Sequence, residues 1–149
     1  MRFVANQAVV RRVVPCGKTR PIARLCRGAK AFARSVGMSA RPTEELAIAV
    51  AELASNVARH AHEGVLELHH REQPRPHVEA ICWDRGPGIA DIDQAKRDGV
   101  SRGQTLLPDS HPSEGLGLGL GAIERLVDEV VIESTLGIGT TVTLRKWIR

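Results

Sequence analysis

The chain has 149 residues, 42% of them apolar and 26% charged, the balance of an ordinary globular protein with room for one substantial core. Aromatic residues make up 3% and tyrosine is absent, so the core is expected to be aliphatic, and stacking on single-stranded nucleic acid is argued against. A formal net charge of +4 suits an anionic ligand or partner without requiring a nucleic acid.

The opening "MRFVANQAVVRRVV" is broken by Arg11 and Arg12 and lacks the long apolar run of a targeting segment. No stretch reaches the length of a membrane span. Cys16, Cys26 and Cys82 are widely spaced, with no CxxC and no histidine at metal-binding distance. Free thiols in a cytoplasmic protein with no membrane partner are expected.

In chain order, "AVVRRVV" (8–14) is β-branched and predicts a first strand. Residues 18–37 carry Ile22, Leu25, Ala29, Phe32, Ala33 and Val36 near helical spacing, with Gly37 as a stop. Thr43, after Pro42, is the expected N-cap of a second helix running to about residue 62. "GVLELHHRE" (64–72) and "HVEAICWD" (77–84) alternate like neighbouring antiparallel strands, with "QPRP" as their turn. "DRGPGIAD" (84–91) is irregular, 91–99 is a short helix, and 100–115 lacks periodicity and reads as a loop. A helix over 118–126 and strands over 129–136 and 140–148, joined at "GIG", complete the chain. No repeat or internal linker divides it, so 1–149 reads as a single domain. The expected fold is α/β: a two-layer sandwich whose mixed, mostly antiparallel sheet carries helices on one face.

Four stretches hold chemistry-bearing residues. In the second helix, Leu46, Val50, Leu53 and Val57 form an apolar stripe and alanines cover the far side, leaving a ridge of Glu45, Glu52, Asn56 and Arg59. Such a ridge reads as a solvent-facing edge, but Glu52 and Asn56 are also one turn apart on the same side. An Asn oxygen can ligate Mg²⁺ and a Glu can take a proton from a nucleophile. At "WDRGPGI", Asp84 ends a strand before Gly86 and Gly88, which is either a plain turn or an acceptor for an exocyclic amine such as adenine's.

In "SEGLGLGLGAIERLVDEV" (113–130), Gly115, Gly117, Gly119 and Gly121 alternate with Leu116, Leu118 and Leu120 where a helix must begin. Each glycine costs about 1 kcal/mol relative to alanine in a helix interior. The pattern suits bare N–H groups that receive oxyanions at the positive end of a helix, with the leucines anchoring the turn. Neither a P-loop nor a dinucleotide fingerprint is present. In "GIGTTVTL", Thr140 adds a hydroxyl to a base pocket if its strand lies beside the one ending at Asp84.

Taken in order, Glu-x-x-x-Asn, Asp-x-Gly-x-Gly, a loop, the glycine-rich helix start and Gly-Thr before the final strand resemble the GHKL superfamily with its Bergerat ATP-binding fold. Its members include histidine kinases and the anti-sigma serine kinases. The size and the segments "RDGVSRG", "AIERLVDEV" and "LRKWIR" are most similar to the bacterial switch kinases of the anti-sigma and stressosome class.

The resemblance implies ATP/ADP and Mg²⁺ as ligands, with Asn56 holding the metal and Glu52 as the catalytic base. It places Asp84 on the adenine amine, Gly86 and Gly88 around the base, and Thr140 in its support. It gives Gly115, Leu116, Gly117, Leu118 and Gly119 to the phosphates, 99–115 to a lid, and Arg102 to a lid cation. It further implies phosphorylation of Ser or Thr on a STAS-domain antagonist or scaffold protein, and control of a PP2C-type phosphatase or a sigma factor. A homodimer is compatible with it. The alternatives are an anti-sigma or phosphatase-activating binding module with ATP as a structural ligand, and a histidine-kinase-type catalytic domain. One departure is "QTLLPDSHPSE", which lengthens the lid relative to that class.

Overall fold

Strands with one face of aliphatic residues need a layer of helices to bury that face, and the element order supplies it. The computed structural model describes residues 9–14, 20–61, 63–97, 100–101, 104–105 and 119–149. In chain order these form β1 (Val9–Val14), α1 (Arg20–Ser35), α2 (Ala40–His60), β2 (Gly64–Arg71), β3 (His77–Asp84), α3 (Ile92–Ala95), β4 (Val100–Ser101), β5 (Gln104–Thr105), α4 (Gly119–Leu126), β6 (Glu129–Thr135) and β7 (Gly139–Trp147).

Five strands make one sheet in the order β1-β2-β3-β7-β6. Every pairing in it is antiparallel, more uniform than the mixed, mostly antiparallel sheet expected. One sheet face and the helices share a single core. Leu66, Leu68, Val78, Ala80, Cys82, Val142 and Leu144 of the strands meet Leu25, Phe32, Leu46, Val50, Leu53 and Ile123 of the helices. The aliphatic core follows from the scarcity of aromatic residues.

Two local expectations change. Helix α2 starts at Ala40, with Ser39 as its N-cap, rather than after Thr43. Pro42 lies inside the first turn, where its missing N–H has no helical partner to lose, and Thr43 is buried. Within the stretch read as loop, β4 and β5 pair as a two-residue antiparallel ribbon; a ribbon this short leaves no periodicity to detect.

Charged groups brace both sheet faces. On the core face, the Lys146 ammonium donates to a Glu45 carboxylate oxygen of α2 at 2.5 Å and to the Leu126 carbonyl at 2.6 Å. That carbonyl ends α4, where a cation also complements the helix dipole. On the opposite face, Glu79 accepts from Arg71 Nε at 3.2 Å and from Arg145 Nε at 3.0 Å. Burial alone would raise the Glu79 carboxyl, but hydrogen bonds from Arg145 and Arg71 outweigh it and hold it below the ordinary 4.5.

Leu144 is wholly buried at the centre of the shared core. Leu144→Ala is expected to cost about 2–5 kcal/mol of unfolding free energy, read from urea denaturation against the unsubstituted protein.

Candidate functional site

Residues distant in sequence meet at the end of the sheet where β3 finishes and β7 begins. A cavity of about 590 Å³ opens there. Its floor is apolar, from Leu53 and Val57 of α2, Cys82, Leu120 and Val142, while Asn56, Asp84 and Thr140 bring polar groups to it from three elements. An apolar cup with a few converging polar groups is the usual form of a small-molecule pocket.

Strand register makes the polar pair. Asp84 and Thr140 are direct partners across β3 and β7. The backbone then turns at Gly86, whose N–H donates to Asp84 Oδ1 at 2.9 Å. Burial raises the Asp84 carboxyl above its ordinary 3.8, and the Gly86 and Thr140 backbone N–H groups offset this only in part. Directly beneath, burial and the Asp84 charge push the Cys82 thiol up to about 12. It is therefore neutral and unreactive at physiological pH.

The β6–β7 hairpin closes against the loop that follows Asp84. A Cβ on Gly139 would sit 2.0 Å from the Asp84 carbonyl oxygen, so only glycine fits. Gly88 has φ +78, and a Cβ there would lie 2.6 Å from the Thr135 carbonyl oxygen. Across this contact the Gly137 N–H donates to the Pro87 carbonyl at 2.9 Å. The Ile89 N–H donates to Ser134 Oγ at 2.7 Å.

Helix α2 lines the opposite wall. Asn56 is partly exposed on the cavity, and Arg59 and His60 extend the same wall one turn on. Glu52, one turn before Asn56, is 1% exposed. It lies inside the core rather than on the solvent-facing ridge, and it is not among the side chains lining the cavity.

The structure thus brings Asn56, Asp84, Gly88, Gly119 and Thr140 to one cavity. Gly86 backs the Asp84 carboxylate instead of lining the space. Arg102, Gly115, Leu116, Gly117 and Leu118 lie outside the described residues, as does most of the expected lid. Cavity residues not anticipated as such include His60, Cys82, Asp91 and Gln94. Only His60 carried a signal, its i, i+4 spacing from Asn56.

Among the described residues no cluster of three His, Cys, Asp or Glu could hold a metal ion by itself. A lone Asn oxygen suits a hard cation that also keeps waters and phosphate oxygens, not a structural zinc. Among the same residues no helix is long and apolar enough to cross a membrane.

An antiparallel sheet layered with helices, with a cup where β3 ends and β7 begins, fits an ATPase-type nucleotide-binding domain of the histidine kinase kind. Residues 18–146 match the family model described as histidine kinase-like ATPase domain. The chain is 31% identical over 118 residues to the serine/threonine-protein kinase RsbT of Bacillus subtilis (strain 168), covering 78% of this chain and 81% of that protein. It is 42% identical over 71 residues to the anti-sigma F factor of Geobacillus thermodenitrificans (strain NG80-2), covering 48% and 44%. Against the anti-sigma F factor of Pasteuria penetrans it is 27% identical over 135 residues, covering 88% and 84%. The chain belongs to the histidine kinase-like ATPase family, in its GHKL anti-sigma kinase branch.

The raised Asp84 carboxyl has a consequence for stability. A carboxyl whose folded pKa exceeds the unfolded one contributes stability below about 3.8 that is lost as pH rises through the folded value. Asp84→Asn, which cannot ionise, is therefore expected to be at least as stable as the unsubstituted protein at neutral pH. Urea denaturation at pH 7 and pH 4 checks this, with the advantage of the variant shrinking at the lower pH.

Proposed function

We propose that the chain is an ATP-dependent protein serine/threonine kinase of the switch type, formed by 1–149 as a single domain. The observation that supports it most is the cavity itself, which gathers Asn56, Asp84, Gly88, Gly119 and Thr140 from distant segments around an apolar floor of adenine-compatible size. Its volume of about 590 Å³ falls within the range of ligand pockets.

In this reading the Asp84 carboxylate accepts from the adenine amine, and Thr140 supports the ring edge beside it. Gly86 and Gly88 keep the loop close to the base. Gly115, Leu116, Gly117, Leu118 and Gly119 turn backbone N–H groups to the phosphates, and Arg102 brings a cation from the lid. The Asn56 carboxamide oxygen would hold Mg²⁺. Bound there, the ion supplies charge neutralisation on the phosphate chain.

Glu52 is the candidate base, taking the proton from a Ser or Thr hydroxyl of a STAS-domain protein. The hydroxyl oxygen bonds the γ-phosphorus as its bond to the bridging oxygen breaks, and ADP leaves. Burial of Glu52 one turn from Asn56 keeps it away from bulk water, so the lid and the acceptor protein must complete its path to the hydroxyl. Phosphoryl transfer needs mainly positioning and charge neutralisation, which this inventory can provide. The modified partner would in turn govern a PP2C-type phosphatase or a sigma factor.

A second reading draws on the anti-sigma F factor relatives. There the domain sequesters a sigma factor, with ATP as a structural ligand.

Calorimetry with ADP, with and without Mg²⁺, tests the pocket; transfer of labelled γ-phosphate to STAS-domain proteins of the same genome tests the reaction. Glu52→Gln is expected to lower transfer by about 10²–10⁴-fold while ADP affinity stays near that of the unsubstituted protein. Asn56→Ala should abolish the Mg²⁺-dependent part of ADP affinity. Absence of ADP binding in the unsubstituted protein would overturn the kinase reading, and transfer undiminished in Glu52→Gln would remove Glu52 as base.

A further inference from the structure

One wall of the cavity comes from the stretch after Ile89, through Asp91, Gln94 and Ala95. That wall is the short helix α3. Its N-cap Asp91 accepts from the Gln94 N–H at 3.0 Å. A single turn closes as the Ala95 and Lys96 N–H groups donate to the Asp91 and Ile92 carbonyls at 3.1 and 3.0 Å. None of its four residues is buried, and of them Ala95 alone packs against the core. A helix this short does not hold itself together in water.

The neighbouring wall is built in the opposite way. Helix α4 buries Gly119, Leu120, Gly121, Ala122 and Ile123, and its Gly119 and Leu120 line the same cavity. One turn past Leu120 stands the exposed Glu124. Its Oε1 lies 2.8 Å from the Nζ of Lys96, the C-cap of α3. The hydrogen bond to Glu124 raises the Lys96 ammonium above its ordinary 10.5, and the Asp93 charge adds to the effect. With side chains 31% and 41% exposed, the pair adds little to global stability. Its leverage is local, because it straps a wall with no buried residue to a wall fixed in the core. Segments with few buried contacts open far more readily than the whole protein unfolds, and ligand gates are drawn from them.

We propose that Lys96 and Glu124 are positioning residues that latch α3 shut beside α4, so that breaking the pair lets this wall part and speeds ligand exchange. The proposal rests on the nucleotide reading above for its ligand, though not for the latch itself. Neither residue lines the cavity, so the pair acts on the ligand through α3. Loss of such a closure is felt mainly in how fast a ligand leaves.

The experiment compares the unsubstituted protein with Lys96→Met, Glu124→Gln, the two combined, and Lys96→Arg. Hydrogen exchange at the Ala95 amide, measured without nucleotide, reads the latch. It is expected to quicken about two- to fivefold in each single variant, the range of an exposed ion pair. The combined variant should show no more than that, and Lys96→Arg, which keeps the charge, should match the unsubstituted protein. Unchanged exchange in the single variants, or effects that multiply in the combined one, overturns the latch. A merely structural role would quicken the β7 amides in step with Ala95, and that result overturns it too. Release of a fluorescent ADP analogue, followed by stopped flow, reads the gate. It should quicken by a similar factor in each single variant, and about 1 M salt, which screens exposed pairs, should erase the difference. Quickened exchange with unchanged release refutes the gate. Should the unsubstituted protein bind no ADP, the nucleotide reading fails and takes the gate with it, while the exchange result still decides whether the latch exists.

Discussion

The register between β3 and β7 is the constraint on which the site depends. It sets Asp84 opposite Thr140, and it brings Gly139 so close to the Asp84 carbonyl that no side chain fits. A slip of one residue would send Thr140 to the far face of the sheet and bury Thr141 in its place. The aliphatic residues two and four positions along β7, Val142 and Leu144, enforce the register because only this phase buries them. Core packing and the placement of the polar pair are therefore one choice.

The rest of the cavity is arranged around that pair. Helix α2 crosses the sheet so that its apolar stripe packs on the strands while Asn56, one turn past Glu52, reaches the opening. Lys146 clamps α2 and the end of α4 to β7 at the other end of the same strand. Loop 85–90 brings Ile89 against the core, and the β6–β7 hairpin holds it further by backbone and hydroxyl hydrogen bonds. A half-buried Asp84 that resists ionisation is tolerable in such a frame. Its cost falls on folding, and a ligand that offers an amine donor would favour the charged form.

Much of this was legible in the sequence, because alternation and helical spacing are local signals. Strands β2, β3, β6 and β7 fall within a residue or so of their expected bounds, and the Asp84–Thr140 partnership was foreseen as a condition that pairing then met. What stayed hidden depends on contacts made across the chain. A helical wheel put Glu52 on a polar ridge with Glu45, since alanines on its flanks look neutral to a pattern; in the fold those small residues let neighbouring elements close over the carboxylate. Ser134 looked like an ordinary strand residue, because its role is defined by Ile89, far along the chain. The pattern starts α2 too late because Pro42 reads as a boundary, although the first turn of a helix accommodates proline.

The strand order carries an implication for biogenesis. β6 is made before β7 yet joins the sheet only through it, and β3 must wait for the same strand across more than half a hundred intervening positions. Pairings this distant are slow to close. As the polypeptide leaves the ribosome, Asp84 lacks its partner Thr140 until β7 emerges, so the polar pair of the cup is joined only in a late step.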